Sequence, residues 1–156
     1  MTQELRQGYL GTLITLVAQF LLGMVTNLFV QVPLQHPGAN PPEYFSGVVQ
    51  SVIWAIFHGP SIWLTLHAVL GLLVVVFGFR LLVPAIRSRN RFVITTAVIG
   101  ALGMLTAGFN GGSYLNYHED FSSMIMATGF AIAVTSYVVG LGGLPPQQES
   151  PTQAAR

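Results

Sequence analysis

The stretch Trp63 to Val83, WLTLHAVLGLLVVVFGFRLLV, is apolar throughout except for His67 near its start and Arg80 near its end. A run of about 20 mostly apolar residues is long enough to cross a bilayer. Three more segments meet the same standard: Tyr9 to Val32, Phe92 to Phe109 and Phe121 to Leu144, with the second span beginning at Ile62. Only 7% of the 156 residues are charged, against 52% apolar, far from the roughly 25% charged of soluble domains. The sequence predicts an all-α integral membrane protein, a four-helix up-down bundle over residues 1 to 144 in contact with the lipid bilayer.

The arginines orient it. Arg6 precedes the first span, Arg80, Arg87, Arg89 and Arg91 surround the link between the second and third, and Arg156 ends the chain; there is no lysine. The other two connections carry only Glu43, Glu119 and Asp120. By the positive-inside rule both termini are expected in the cytoplasm, at a plasma (inner) membrane. Arginines beside spans are topology signals, and no basic face with stacking aromatics points to nucleic acid. With no cysteine, a disulfide framework, thiolate catalysis and an iron–sulfur site are excluded.

Between the first two spans lie PLQHPGANPPE, a turn-rich loop with His36 read as exposed, and Tyr44 to Phe57, YFSGVVQSVIWAIF. Joined to the second span this segment is too long for one crossing, and His58-Gly59-Pro60 supplies the break. It reads as an interfacial helix, with Trp54, Trp63 and Tyr44 in an aromatic belt. Pro60 is expected at the first position of the next helix, Pro84 at its end, and Asp120 as the cap of the fourth span. The tail 145–156 reads as disordered.

Small and polar residues recur at helical spacing. The first span has Thr12, Thr15, Gln19, Gly23 and Thr26, the third Thr96, Gly100, Gly103, Ala107 and Asn110, and the fourth Ser122, Met126, Gly129, Ala133, Ser136 and Gly140. In lipid such faces turn inward, because small residues let backbones approach and polar ones bond across helices. Leu22 to Phe29 also matches Leu102 to Phe109 at five of eight positions, which suggests two repeated helix pairs.

The histidines carry the candidate chemistry. His67 is followed by Gly71 and Gly78 on one helical face, and His118 by Gly129 eleven residues on. On diagonal helices of a bundle, two imidazoles with small residues below them are suited to hold a haem. Gln19-x-x-Leu22-Gly23, a proline-rich outer loop and His67-x-x-x-Gly71 together resemble the four-helix half-unit of the haem A synthase family and, more loosely, other membrane b-type cytochromes. The resemblance implies His67 and His118 as axial ligands of haem b, with Gly71, Gly78 and Gly129 giving clearance. A haem held there is expected to serve electron transfer, or exchange with quinone, near the outer face. One half-unit instead of two and the absence of loop cysteines speak against haem A synthesis itself.

The alternative is an accessory or structural subunit of a larger membrane complex, in which the histidines only pack. A copper or zinc site from His36, His58, His67 and His118 matches no compact motif. A hydrolase lacks its constellation, and no ionisable residue lies at mid-membrane to couple transport.

Overall fold

The computed structural model describes residues 2–145, so the expected disorder of the tail falls almost wholly outside the described residues. Five helices account for about four-fifths of them: α1 (Thr2–Phe29), α2 (Tyr44–Phe57), α3 (Ile62–Arg87), α4 (Arg91–Tyr117) and α5 (Asp120–Gly142). α1, α3, α4 and α5 are each long and apolar enough to cross a membrane. The chain is a multi-pass membrane protein with the expected bundle architecture.

Neighbours in the bundle run antiparallel. Gly8 meets Leu81 and Gly23 meets His67 between α1 and α3, Gly78 meets Met104 between α3 and α4, and Gly103 meets Gly129 between α4 and α5. α1 closes the ring against α5, which leaves α3 diagonal to α5. One end of the bundle therefore gathers Thr2, Arg87, Arg91 and Gly142 and is the arginine end. The other carries α2 and the loop before it and is the cap end. Buried residues make up 39% of the most apolar window of α4, against 17–22% in the other spans, so α4 is the hub and the rest present most of their surface to lipid.

Lipid tails are as apolar as leucine, so helices here associate through close packing and interhelical hydrogen bonds. The predicted small faces do this work. At the arginine end Tyr9 is fully buried; its hydroxyl donates to the Val93 carbonyl at 3.0 Å and lies 2.8 Å from Thr96 Oγ1. Its ring meets Tyr137 edge-on at 5.9 Å. Leu16, Val74, Leu81, Val93 and Ala133 fill the core around the pair.

Several boundaries differ from the sequence reading. α1 begins at Thr2 because the polar lead is compatible with helix, and it ends at Phe29, before Pro33. α3 continues past Pro84 to Arg87, since a proline in the last turn removes a single backbone bond. Pro60 precedes the true cap, Ser61, whose hydroxyl accepts from Trp63 N. Asp120 lies in the first turn of α5, and the cap position is Glu119. α4 runs through Gly111-Gly112-Ser113 to Tyr117, and Gly112 packs against the Val48 side chain of α2.

α2 occupies the predicted residues. Glu43 starts it, its carboxylate accepting from Phe45 N at 2.9 Å and Ser46 N at 2.6 Å, as an N-cap does. These amide donors, Ser46 first, favour the charged carboxylate and hold Glu43 below its ordinary value. The two copies of the sequence repeat are not at equal depth: Leu22–Phe29 ends α1, whereas two further turns of α4 follow Phe109.

Candidate functional site

His67 lies in the second turn of α3 and faces α1. Gln19 Nε2 donates to the His67 carbonyl at 3.1 Å and lies 3.4 Å from its Nε2. The imidazole sits over Gly23: a methyl there would come within 2.9 Å of His67 Cε1, so only glycine admits the ring at this separation. Thr26 Oγ1, one turn on, lies 3.3 Å from the Trp63 carbonyl. The polar stripe of the first span thus forms the seam with α3. His67 Nδ1 and Gln19 Oε1 are buried there without a hydrogen-bond partner.

His118 is held by a different device. It caps α4 with a left-handed backbone, φ 55° and ψ 31°, and its amide donates to the Tyr114 carbonyl at 2.8 Å. Its ring neighbours are His36 at 6.3 Å and Tyr114 at 5.9 Å between centroids, and its Nε2 is buried without a partner. The two predicted ligands therefore have different surroundings, His67 on α1 and His118 among cap aromatics. Buried Trp54, Ala55, Leu64 and Leu115 form a separate apolar cluster at this end.

The three glycines expected to clear room beside the histidines are occupied by neighbours. A Cβ on Gly71 would lie 3.1 Å from Gln19 Nε2. On Gly78 it would collide with the Met104 methyl and lie 3.0 Å from the Tyr137 hydroxyl oxygen. On Gly129 it would lie 2.7 Å from the Gly103 carbonyl oxygen and 2.9 Å from the Ala107 nitrogen. At Gly129 the absent side chain lets the α4 and α5 backbones approach, whereas at Gly71 and Gly78 the space is taken by side chains of the neighbouring helices. The imidazoles are donors of the kind that bind haem iron, and Gly78 and Gly129 each lie eleven residues along the chain from one of them.

The remaining polar structure at the cap end centres on residues the sequence reading passed over. Asn116, fully buried near the end of α4, sits between the loop and α2. Its amide nitrogen faces the carbonyls of Gly38, Gly47 and Gly112 at 3.2 Å each and the Ser51 hydroxyl at 2.6 Å, and its oxygen accepts from Val48 N at 3.1 Å. This is the orientation that matches donors to acceptors. The Asn116 backbone carbonyl accepts from Asn40 N at 2.9 Å. Gly38 passes beneath with φ 92°, where a Cβ would strike Ser51 and lie 2.6 Å from the Gly47 carbonyl oxygen.

His36, expected to be exposed, is half-buried and stacked on Trp54 with centroids 4.0 Å apart and planes at 12°. Its Nδ1 lies 2.9 Å from the Pro37 carbonyl and its Nε2 3.0 Å from the Leu115 carbonyl. Trp54 is consequently buried under the loop instead of lying in an aromatic belt, whereas Trp63 is exposed. His58 is exposed at the end of α2. No group of three or more metal-ligating side chains comes together among the described residues. Comparison with family models, with curated proteins and with solved structures finds no match for this chain.

Proposed function

We propose that this protein is an accessory subunit of the plasma (inner) membrane, with both termini cytoplasmic, whose role is to pack against a larger membrane partner. The observation that carries the reading is the use made of Gly71, Gly78 and Gly129, whose space is filled by side chains or backbone of neighbouring helices. The bundle is closely packed, with a cap clasped by Asn116. Its α5 outer surface offers Ala127, Ala131 and Thr135 at four-residue spacing, all exposed, and small residues so spaced suit a neighbouring helix.

A photo-crosslinking side chain at Ala131, in native membranes, tests this. The expected result is one discrete protein adduct from Ala131, and lipid adducts alone from the same probe at Ile14, which is 68% exposed on α1. Lipid adducts alone at both positions would remove the basis for a docked partner.

One observation favours a second reading, haem b held by His67 and His118 for electron transfer to a quinone or a protein partner. Each of these imidazoles has one buried nitrogen without a hydrogen bond, Nδ1 of His67 and Nε2 of His118, and buried polar atoms are rarely left so. Such a site requires the helices to separate beside the histidines. A haem spectrum lost in both alanine variants is its signature.

A further inference from the structure

At the arginine end the seam between α1 and α3 opens into a groove of about 340 Å³. Gly8 and Gly11 line its α1 wall, and a methyl at Gly11 would meet nothing within 4 Å. Its two charges are Glu4 on α1 and Arg80 on α3. Neither is hydrogen-bonded or ion-paired with another residue among the described residues. Arg80 lies seven residues before the end of α3 at Arg87, about 10 Å along the helix axis. An arginine at that depth needs an anion or a route to the headgroups.

Ordered by backbone level, the wall residues run from Phe77 and Thr15 deepest, through Arg80, to Glu4 at the mouth. A phospholipid in the same leaflet has the same sequence from within: acyl chain, phosphate, then the terminal group. We propose that the groove binds one phospholipid of the phosphoethanolamine class. Its chain lies against Phe77, its phosphate on the Arg80 guanidinium, and its ammonium on the Glu4 carboxylate with the Gln7 amide beside it. The pairing is specific by charge. A phosphoglycerol headgroup satisfies Arg80 but sets an uncharged end against Glu4, and a phosphocholine has no N–H to donate to the carboxylate.

The test is native mass spectrometry of the full chain, extracted in detergent and offered equal amounts of phosphatidylethanolamine and phosphatidylglycerol. The wild type is expected to retain phosphatidylethanolamine in preference. Arg80→Gln should weaken retention of both lipids about tenfold, the scale of one hydrogen bond to a charged group. Glu4→Gln should abolish the preference while leaving phosphatidylglycerol bound. Gly11→Leu, which fills the groove without altering charge, should block retention, so the proposal remains testable if Arg80→Gln does not fold. A wild type that prefers phosphatidylglycerol or does not discriminate would overturn the assignment, as would undiminished retention in Gly11→Leu.

Discussion

Replacing Gly129 with alanine adds one methyl group, and the α4–α5 seam leaves it no space. The new carbon would lie 2.7 Å from the Gly103 carbonyl oxygen, 2.9 Å from the Ala107 nitrogen and 3.1 Å from Thr106 Cβ, all inside the 3.4 Å at which ordinary van der Waals contact begins. Two of these three atoms are backbone, so no rotamer change relieves the clash and the helices must separate. Overpacking of this kind costs about 1–3 kcal/mol, and the upper end is expected because α4 is the hub. Alanine is intrinsically better in a helix than glycine by about 1 kcal/mol, which opposes the effect. Gly11→Ala provides the control: the same atom is added on α1, where nothing lies within 4 Å, so only the propensity gain remains. In reversible unfolding in mixed micelles, Gly129→Ala should therefore be about 1–2 kcal/mol less stable than wild type. Gly11→Ala should be equal to wild type or better. Equal effects of the two substitutions would refute the close-packed seam.

Three other outcomes follow from the same geometry. Tyr9→Phe removes the bond to Val93 and the contact with Thr96 and should lose about 0.5–1.5 kcal/mol, whereas Tyr137→Phe removes a buried hydroxyl with no partner and should be neutral or stabilising in the same unfolding assay. Asn116→Ala leaves Val48 N, the Ser51 hydroxyl and the Gly38 and Gly47 carbonyls without their side-chain partner and should cost about 3 kcal/mol, seen in hydrogen exchange as opening of residues 36–48 before the bundle. The Glu43 carboxylate is lowered in the fold, so its contribution to α2 is complete above the unfolded value and is lost as pH falls through the folded one. Exchange protection at Phe45 and Ser46, measured against the intrinsic rate at each pH, should persist through the ordinary glutamate range and be lost only below it in wild type, and it should already be low at neutral pH in Glu43→Ala.

The spans were legible because twenty apolar residues in succession have few alternatives, and the inward turn of the small faces followed from their spacing. The α1 stripe of Gln19, Gly23 and Thr26 does meet α3, and Gly103, Gly129 and Ala133 do form the α4–α5 contact. What each small residue faces was not legible. A glycine spaced from a histidine reads equally as clearance for a cofactor or as a notch for another helix, and the difference lies in Met104, Tyr137 and Gln19, which are distant in sequence. The cap was missed for the same reason. Asn116, Ser51 and Gly38 acquire meaning only when the loop folds back over α4, and His36 looks like a solvated loop residue until Trp54 lies beneath it. Helix ends differ from the sequence pattern where a single residue suggests a stop: Pro84 in a last turn and glycines at 111–112 do not end a helix whose neighbours hold it.

The proposal that this bundle uses its glycines for packing, with no haem between His67 and His118, is tested most directly by a reduced-minus-oxidised visible spectrum. The full chain is purified in detergent from haem-replete cells, and its helicity is confirmed in the same preparation. The account predicts a folded, colourless protein that stays so after haem is added. Sharp haem bands in the wild type, lost in both His67→Ala and His118→Ala, would contradict it and make the two unpartnered imidazole nitrogens the axial ligands.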